Sequence, residues 1–553
     1  MSWEEISQKA QADLLDSLPK TWRIDSKRVA GLTNVSQIPK TCGILTQRQI
    51  YITELTATKV AEKIASRQLK AVEVLGAFAA RAAIAHQLVN CLTDWFLDEG
   101  MRQAQYLDEI LEKGGKPLGA LHGVPVALKD SYEVEGHITT RGYVANKDKV
   151  HHYDSAVVAT LRRAGAVFFC RTTMPQTGMA LETVSNLWGR TLNPFNTNLV
   201  AGGSSGGDGA LIAMKGCPIA PSTDIGGSIR IPAAYNGLYA IRPTSLRVPK
   251  RDWGGTKTGQ LSIRDSVGPV CHSVEDIRMF TRVLIDDQKN RYDVSAVPMA
   301  WRDVTLPKRK LVVGIMKWDG VVMPQPPVLR AINHAREVLV EAGIKVIDFK
   351  PPFDCWELAK CTFDIYFQEA GDQTLANLNP PREPLIPAFE DLLKVYNARH
   401  HSALELCNIN LKMRDFKEAF AKAWEQTCQI SQSGSPMDVM ICPVSPSVGA
   451  PHDFNAYWGY TSMFNSLDYP STVIPVADFK VDSRVDQLDA AYQPSESNPY
   501  DREYQKMYDV KLFEQQPASV QIIGRPFDDE ELIEATHEID MIFKTWKKPQ
   551  HKL

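Results

Sequence analysis

Apolar positions recur at helical spacing from residue 56 to residue 84: Val60 and Ile64, then Val72, Leu75 and Phe78, with Thr56 placed to cap the start. A second helical stretch runs through Met101–Leu111. The pattern then changes. Val124-Pro125-Val126-Ala127-Leu128 is a short continuous apolar run, the mark of a buried strand. Asp154 is placed to cap a helix carrying Val157, Val158 and Leu161 and closed by Gly165, and residues 166–170 form the next buried run. The alternation returns later. Leu311–Ile315 reads as a strand, Val328–Ala342 as an amphipathic helix ending at Gly343, and Lys345–Asp348 as another strand. Near the end, Val520–Ile523 precedes a helix capped by Asp528 that runs through Ile539. Helices alternating with continuous apolar strands predict an α/β fold with a largely buried sheet.

No period of 20–50 residues repeats. Residues 478–516 are polar and read as a surface excursion, and residues 350–435 read as a mainly helical insertion. No segment has linker composition. One large unit over residues 1–553 is therefore expected, with an N-terminal helical region over 1–84 and a core over 120–270.

The 553 residues are 44% hydrophobic and 23% charged, enough to bury a sizeable core. Net charge is −3, from 62 basic and 65 acidic residues, which gives no electrostatic reason to expect nucleic acid or an anionic membrane as partner. No apolar run approaches the roughly 18–20 residues that span a bilayer. The start, MSWEEISQKAQADLL, lacks the basic-then-apolar order of a signal peptide. Ten cysteines are scattered between Cys42 and Cys442 without a C-x-x-C, so free, mostly buried thiols in a reducing cytoplasm are expected. The final His-Lys-Leu loosely resembles the Ser-Lys-Leu peroxisomal address, but its first residue does not fit, and a frayed basic tail is the plainer reading. The N-terminal helices are candidates either to mediate a homodimer or to cover the core.

The chemistry concentrates in AGGSSGGDGALIAMKGCPIAPSTDIGGSIRIPAA, residues 201–234, where Ser204 and Ser228 each sit among glycines. A phosphate cradle is disfavoured, because neither G-x-x-x-x-G-K-[ST] nor G-x-G-x-x-G with its strand and acidic partner is present. Gly202–Gly206 fits the G-x-S-x-G nucleophile elbow, which would make Ser204 the nucleophile of a serine esterase. That reading needs an acid and a histidine. His272, His334, His400, His452 and His537 are available, none in a distinctive context.

A third reading joins this stretch to Leu121–Asp130, LHGVPVALKD. The paired segments resemble the amidase signature family, and fungal acetamidase-like members in particular. The lysine follows G-V-P-V-A-L, the first serine lies in G-G-S-S-G-G, and the second lies in T-D-I-G-G-S-I-R. Arg242-Pro243-Thr244, Ser266-Val267-Gly268-Pro269, Asn193-Pro194, residues 450–453 and residues 464–470 agree, so the resemblance covers roughly residues 50–545. It implies a large mixed β-sheet covered by helices on both faces. It also implies an amidase that hydrolyses a linear amide, small and aliphatic like acetamide, through an acyl-enzyme. Lys129 would be the base, Ser204 the bridging serine and Ser228 the nucleophile. The oxyanion hole would be the N–H groups of Ile225, Gly226, Gly227 and Ser228. A cis peptide is implied at Gly203–Ser204, and support from Ser205. No metal or organic cofactor is implied. Fatty acid amide cleavage, amidotransferase work on charged tRNA and a catalytically idle scaffold are the other functions such a chain could serve.

The residue chemistry agrees with that reading. A serine hydroxyl is a poor nucleophile until a base takes its proton. A lysine serves as that base only when neutral, and burial at the end of an apolar strand lowers its pKa. Gly226-Gly227 lets several N–H donors converge on a developing oxyanion. Asp224 and Arg230 are expected to support the loop, and His122 to pack structurally. Tyr143, Met179 and Trp188 are candidates for the substrate pocket, with core packing as the competing role. Thr173 stands where the family usually has Asn, and Asp208 where it usually has Ser or Glu.

Overall fold

The structure is a computed structural model and describes residues 2–254, 259–290, 293–378, 382–431 and 434–546. The C-terminal His-Lys-Leu lies outside the described residues. An eight-stranded mixed sheet forms the centre. Across it the strands run Lys345–Asp348, Val312–Ile315, Val439–Pro443, Pro517–Ile523, Ser471–Lys480, Tyr239–Arg242, Ser266–Cys271 and Ala220–Asp224. The first three are mutually parallel, and every later neighbour pairs antiparallel. A smaller sheet sets Val167–Thr172 between Leu92–Trp95 and Pro125–Lys129, parallel to the latter. The apolar runs around 125–129, 167–172 and 312–315 fall on these strands and are buried throughout, whereas the edge strand Lys345–Asp348 buries only Ile347.

Three expectations need correction. Asp528 stands at the N-cap position of Asp529–Thr545, but its side chain caps no N–H of that helix. The helical pattern over 56–84 is two helices, Ala57–Ala65 and Ala71–Val89. Arg67 between them adopts φ 60°, a left-handed conformation that ends the first helix. The second starts where the Asp108 carboxylate accepts from Ala71 N and Val72 N at 2.7 and 3.1 Å, a cap supplied from a remote residue. Asp154 is also not the cap of its helix. That helix, Ala156–Arg163, begins after Ser155, and Asp154 instead accepts from Glu135 N and pairs with Arg162.

Ala71–Val89 is buried on nearly every side and anchors a continuous apolar core that reaches from Ala10 to Phe543. It is the one helix among the described residues long and apolar enough by composition to cross a bilayer, and here it lies inside the protein. The ten cysteines are free thiols, and seven are buried. Residues 350–435 contribute Cys355–Tyr366, Asp372–Ala376, Pro387–Val395 and Ala403–Gln426.

Candidate active site

Lys129 ends its strand where the small sheet meets the edge of the large one, and it is fully buried. Its Nζ donates to three hydroxyls: Ser204 Oγ at 2.8 Å, Ser205 Oγ at 2.8 Å, and Thr223 Oγ1 of the large sheet's edge strand at 3.0 Å. No carboxylate lies within ion-pairing distance of it among the described residues. Burial therefore drives its pKa well below the ordinary lysine range, while the more distant carboxylates of Asp208, Asp224 and Asp265 pull it partly back. Ser205 occupies the N-cap position of the helix Gly206–Ala213 but spends its hydroxyl on Lys129 rather than on the helix. Asp208, in that helix's first turn, is buried and accepts from Thr172 Oγ1 at 2.5 Å and Ser222 Oγ at 2.6 Å; burial raises its pKa.

The Gly203–Ser204 peptide is cis. A Cβ on Gly203 would stand 2.5 Å from Ala180 O, so only glycine fits there. Ser205 N donates to Ser228 O at 3.2 Å, which ties the two glycine-serine segments together. Ser228 Oγ is buried and has no hydrogen-bond partner among the described residues, so a Ser204–Ser228 hydroxyl contact is not formed.

The loop carrying Ser228 is folded around Asp224. Its carboxylate accepts from Gly227 N at 2.8 Å, Ile229 N at 3.1 Å, Asn465 Nδ2 at 2.9 Å, and Arg230 Nε and Nη2 at 3.0 Å each. Burial alone would raise the Asp224 pKa, but the Arg230 guanidinium holds it well below the usual carboxylate range. One N–H carried over for an oxyanion pocket is thus already committed: that of Gly227. Those of Ile225, Gly226 and Ser228 carry no backbone bond among the described residues. The loop's carbonyls are held from outside, with Tyr366 OH donating to Ile225 O and Thr461 Oγ1 to Gly226 O at 2.6 Å. Gly227 has φ 135°, and a Cβ there would meet Thr461 Oγ1 at 2.4 Å.

A cavity of about 500 Å³ opens over these groups and includes Ser204, Thr223, Asp224, Ile225 and Ser228 in its lining. Met174, Trp253, Leu261 and Ile263 give it apolar walls, and Lys250, Arg264 and Asp265 give it charge. Tyr143, Met179 and Trp188 are not among its lining residues. All three are buried, and Trp188 Nε1 donates to Thr140 Oγ1 at 3.0 Å, so packing occupies them. His122 is likewise structural: its Nδ1 accepts from Leu118 N at 3.0 Å. Ser204 has no histidine partner among the described residues, and His452 is engaged with Glu182 and Thr197 O. Tyr366, Thr461 and Asn465 escaped the sequence reading. Asn465 lies in a segment that carried the family resemblance, and nothing marked the other two.

Comparison with known proteins follows the same lines. The amidase profile matches residues 73–533. The chain belongs to the amidase signature family of amide-hydrolysing enzymes. Among curated relatives, an amidase from Gibberella zeae is 53% identical over 98% of this chain and 100% of its own length. An acetamidase from Emericella nidulans is 36% identical over 97% of this chain and 98% of its own. Among solved structures, a fatty acid amide hydrolase superposes with a TM-score of 0.91 at 31% identity, covering 98% of this chain and 95% of that one.

Proposed function

We propose that the protein hydrolyses a carboxylic acid amide to the acid and ammonia or an amine, with Ser228 as nucleophile, Ser204 as proton relay and Lys129 as base. The observation that carries this reading is a buried lysine amine bonded only to hydroxyls, beside a serine hydroxyl that has no other employment. Neutral Lys129 takes the Ser204 proton as Ser204 takes that of Ser228, and the Ser228 oxygen bonds to the amide carbon. The relay requires Ser228 to turn about χ1 so that its hydroxyl reaches Ser204. The oxyanion that forms is met by the N–H groups of Ile225, Gly226 and Ser228, one such donor contributing around 3 kcal/mol. The proton returns through Ser204 to the leaving nitrogen, the C–N bond breaks, and water then cleaves the acyl-enzyme by the same relay.

The likeness to acetamidases favours a small aliphatic amide as one substrate. The test is to react the folded protein with a fluorophosphonate and map the adduct by peptide mass spectrometry. An adduct on Ser228 that is lost in Lys129→Ala supports the assignment. An adduct on Ser204 moves the nucleophile to the elbow serine, and no adduct on either overturns the proposal.

A further inference from the structure

The charged groups on the cavity wall are unequal. Asp224 is paired with Arg230, and Lys250 with Asp265. Arg264 is half-buried and has neither a hydrogen bond nor an ion pair among the described residues. It also lines a side pocket of about 170 Å³, together with Leu261, which likewise borders both spaces. Ser245, Ser262, Asn465, Asp468 and Lys417 complete that pocket. Lys417, half-buried on the helix Ala403–Gln426, also lacks a hydrogen-bond or ion-pair partner among the described residues. The pocket's carboxylate, Asp468, is already engaged by Arg242 Nη2 at 2.7 Å, Ser245 N at 3.0 Å and Ser245 Oγ at 2.6 Å. Three cations therefore surround one carboxylate that is already saturated with donors.

Leaving two half-buried cations unpaired is costly, and a matching anion removes the cost. A guanidinium presents a planar fork that fits a carboxylate in bidentate fashion. Burial lowers the Lys417 pKa; Asp468 pulls it partly back, and Arg242 and Arg264 push it down again. Leu261 and Arg264 line both spaces, and Ile263 and Ile225 add apolar lining on the side of the cavity that holds Ser228. A ligand that meets both ends has an amide, a short hydrocarbon segment and an anionic group.

We infer that Arg264 and Lys417 receive a carboxylate of the substrate, so that the preferred amide is one bearing an acid group, such as the half-amide of a short dicarboxylic acid. The inference rests on the hydrolytic reading above and goes beyond it in naming the substrate class.

Two measurements test it. The first is calorimetric binding of succinate, glutarate and adipate, each against the monocarboxylate of equal length, with inorganic phosphate alongside. At least one dicarboxylate should bind the wild-type protein about tenfold or more tighter than its monocarboxylate, the difference expected for a charged hydrogen-bonded contact. That advantage should vanish in Arg264→Gln and shrink in Lys417→Gln, the second variant serving if the first fails to fold by circular dichroism. The second is the ratio of kcat/KM for a half-amide over the neutral amide of equal length, which should fall about tenfold in the same variants. Dicarboxylates that bind no tighter than monocarboxylates, or a ratio unmoved in both variants, overturn the inference. Phosphate binding without a dicarboxylate preference also overturns it, and marks a site for free anions. Fluorophosphonate labelling of Ser228 in the wild-type protein decides the hydrolytic reading separately.

Discussion

Ser204 and Ser228 carry the same hydroxyl in different company. That of Ser204 is held by Lys129 Nζ, while that of Ser228 is buried without a partner. An unpartnered buried hydroxyl adds nothing to stability, and its removal leaves no other group unsatisfied. Ser228→Ala should therefore cut kcat/KM by about 10³-fold or more while keeping the thermal midpoint at or slightly above that of the wild type. Full retention of turnover would end the mechanism. For Lys129 the sign follows from which form acts. In the proposed mechanism the base is the neutral amine, so activity should rise with pH as the ammonium loses its proton. Burial moves that loss below the ordinary lysine value of 10.5. A rising limb in kcat/KM is expected, complete at lower pH than a free lysine allows, and Lys129→Ala should abolish both the activity and the limb. A variant that keeps the wild-type profile removes lysine from the role.

At the scale of elements, the decisive unit is the turn between the strand Ala220–Asp224 and the helix Arg230–Tyr235. Its shape is set by one buried ion pair and the N–H groups gathered on it. Removing only the cation strands a carboxylate inside the protein, at a cost of about 3–5 kcal/mol. Arg230→Met is expected to lower stability by that amount in urea unfolding. It should also reduce activity in the fraction that remains folded, because Asp224 loses the partner that keeps it charged. A loss below about 1 kcal/mol would mean that Asp224 is satisfied by Asn465 and the backbone alone. Much of this unit was legible beforehand. The glycines and serines stand at fixed spacing, the apolar run Val124–Leu128 announces the strand that delivers Lys129, and charged Asp224 and Arg230 flank the turn. The hydroxyls that hold the carbonyls of Ile225 and Gly226 were not legible. Tyr366 and Thr461 lie 141 and 235 positions away, and one sequence carries no signal for contacts at that distance. The same limit explains Trp188 and Tyr143: an aromatic residue near a motif reads alike whether it lines a cavity or fills a core.

For the whole molecule, those distant contacts join the chemistry to the fold. Arg230 Nη1 donates to Thr461 O at 3.0 Å on the helix Gly459–Leu467 and to Gln521 Oε1 at 3.4 Å on the central strand Pro517–Ile523. Gln521 Nε2 in turn donates to Pro443 O and Tyr460 O at 2.7 Å each. The turn that presents Ser228 is thus braced by the C-terminal half of the chain, through groups packed in one continuous core. A site built on a mobile surface loop would lose function before the fold gives way, because local opening costs less than global unfolding. Here the turn cannot open without breaking buried bonds to the sheet. In a urea titration, catalytic activity and the near-ultraviolet circular dichroism of the core aromatics should therefore be lost at one midpoint, within experimental error. Activity that disappears at clearly lower urea, with the aromatic signal intact, would show that the turn is held by its own local contacts and that bracing from the distant half has little part in positioning Ser228.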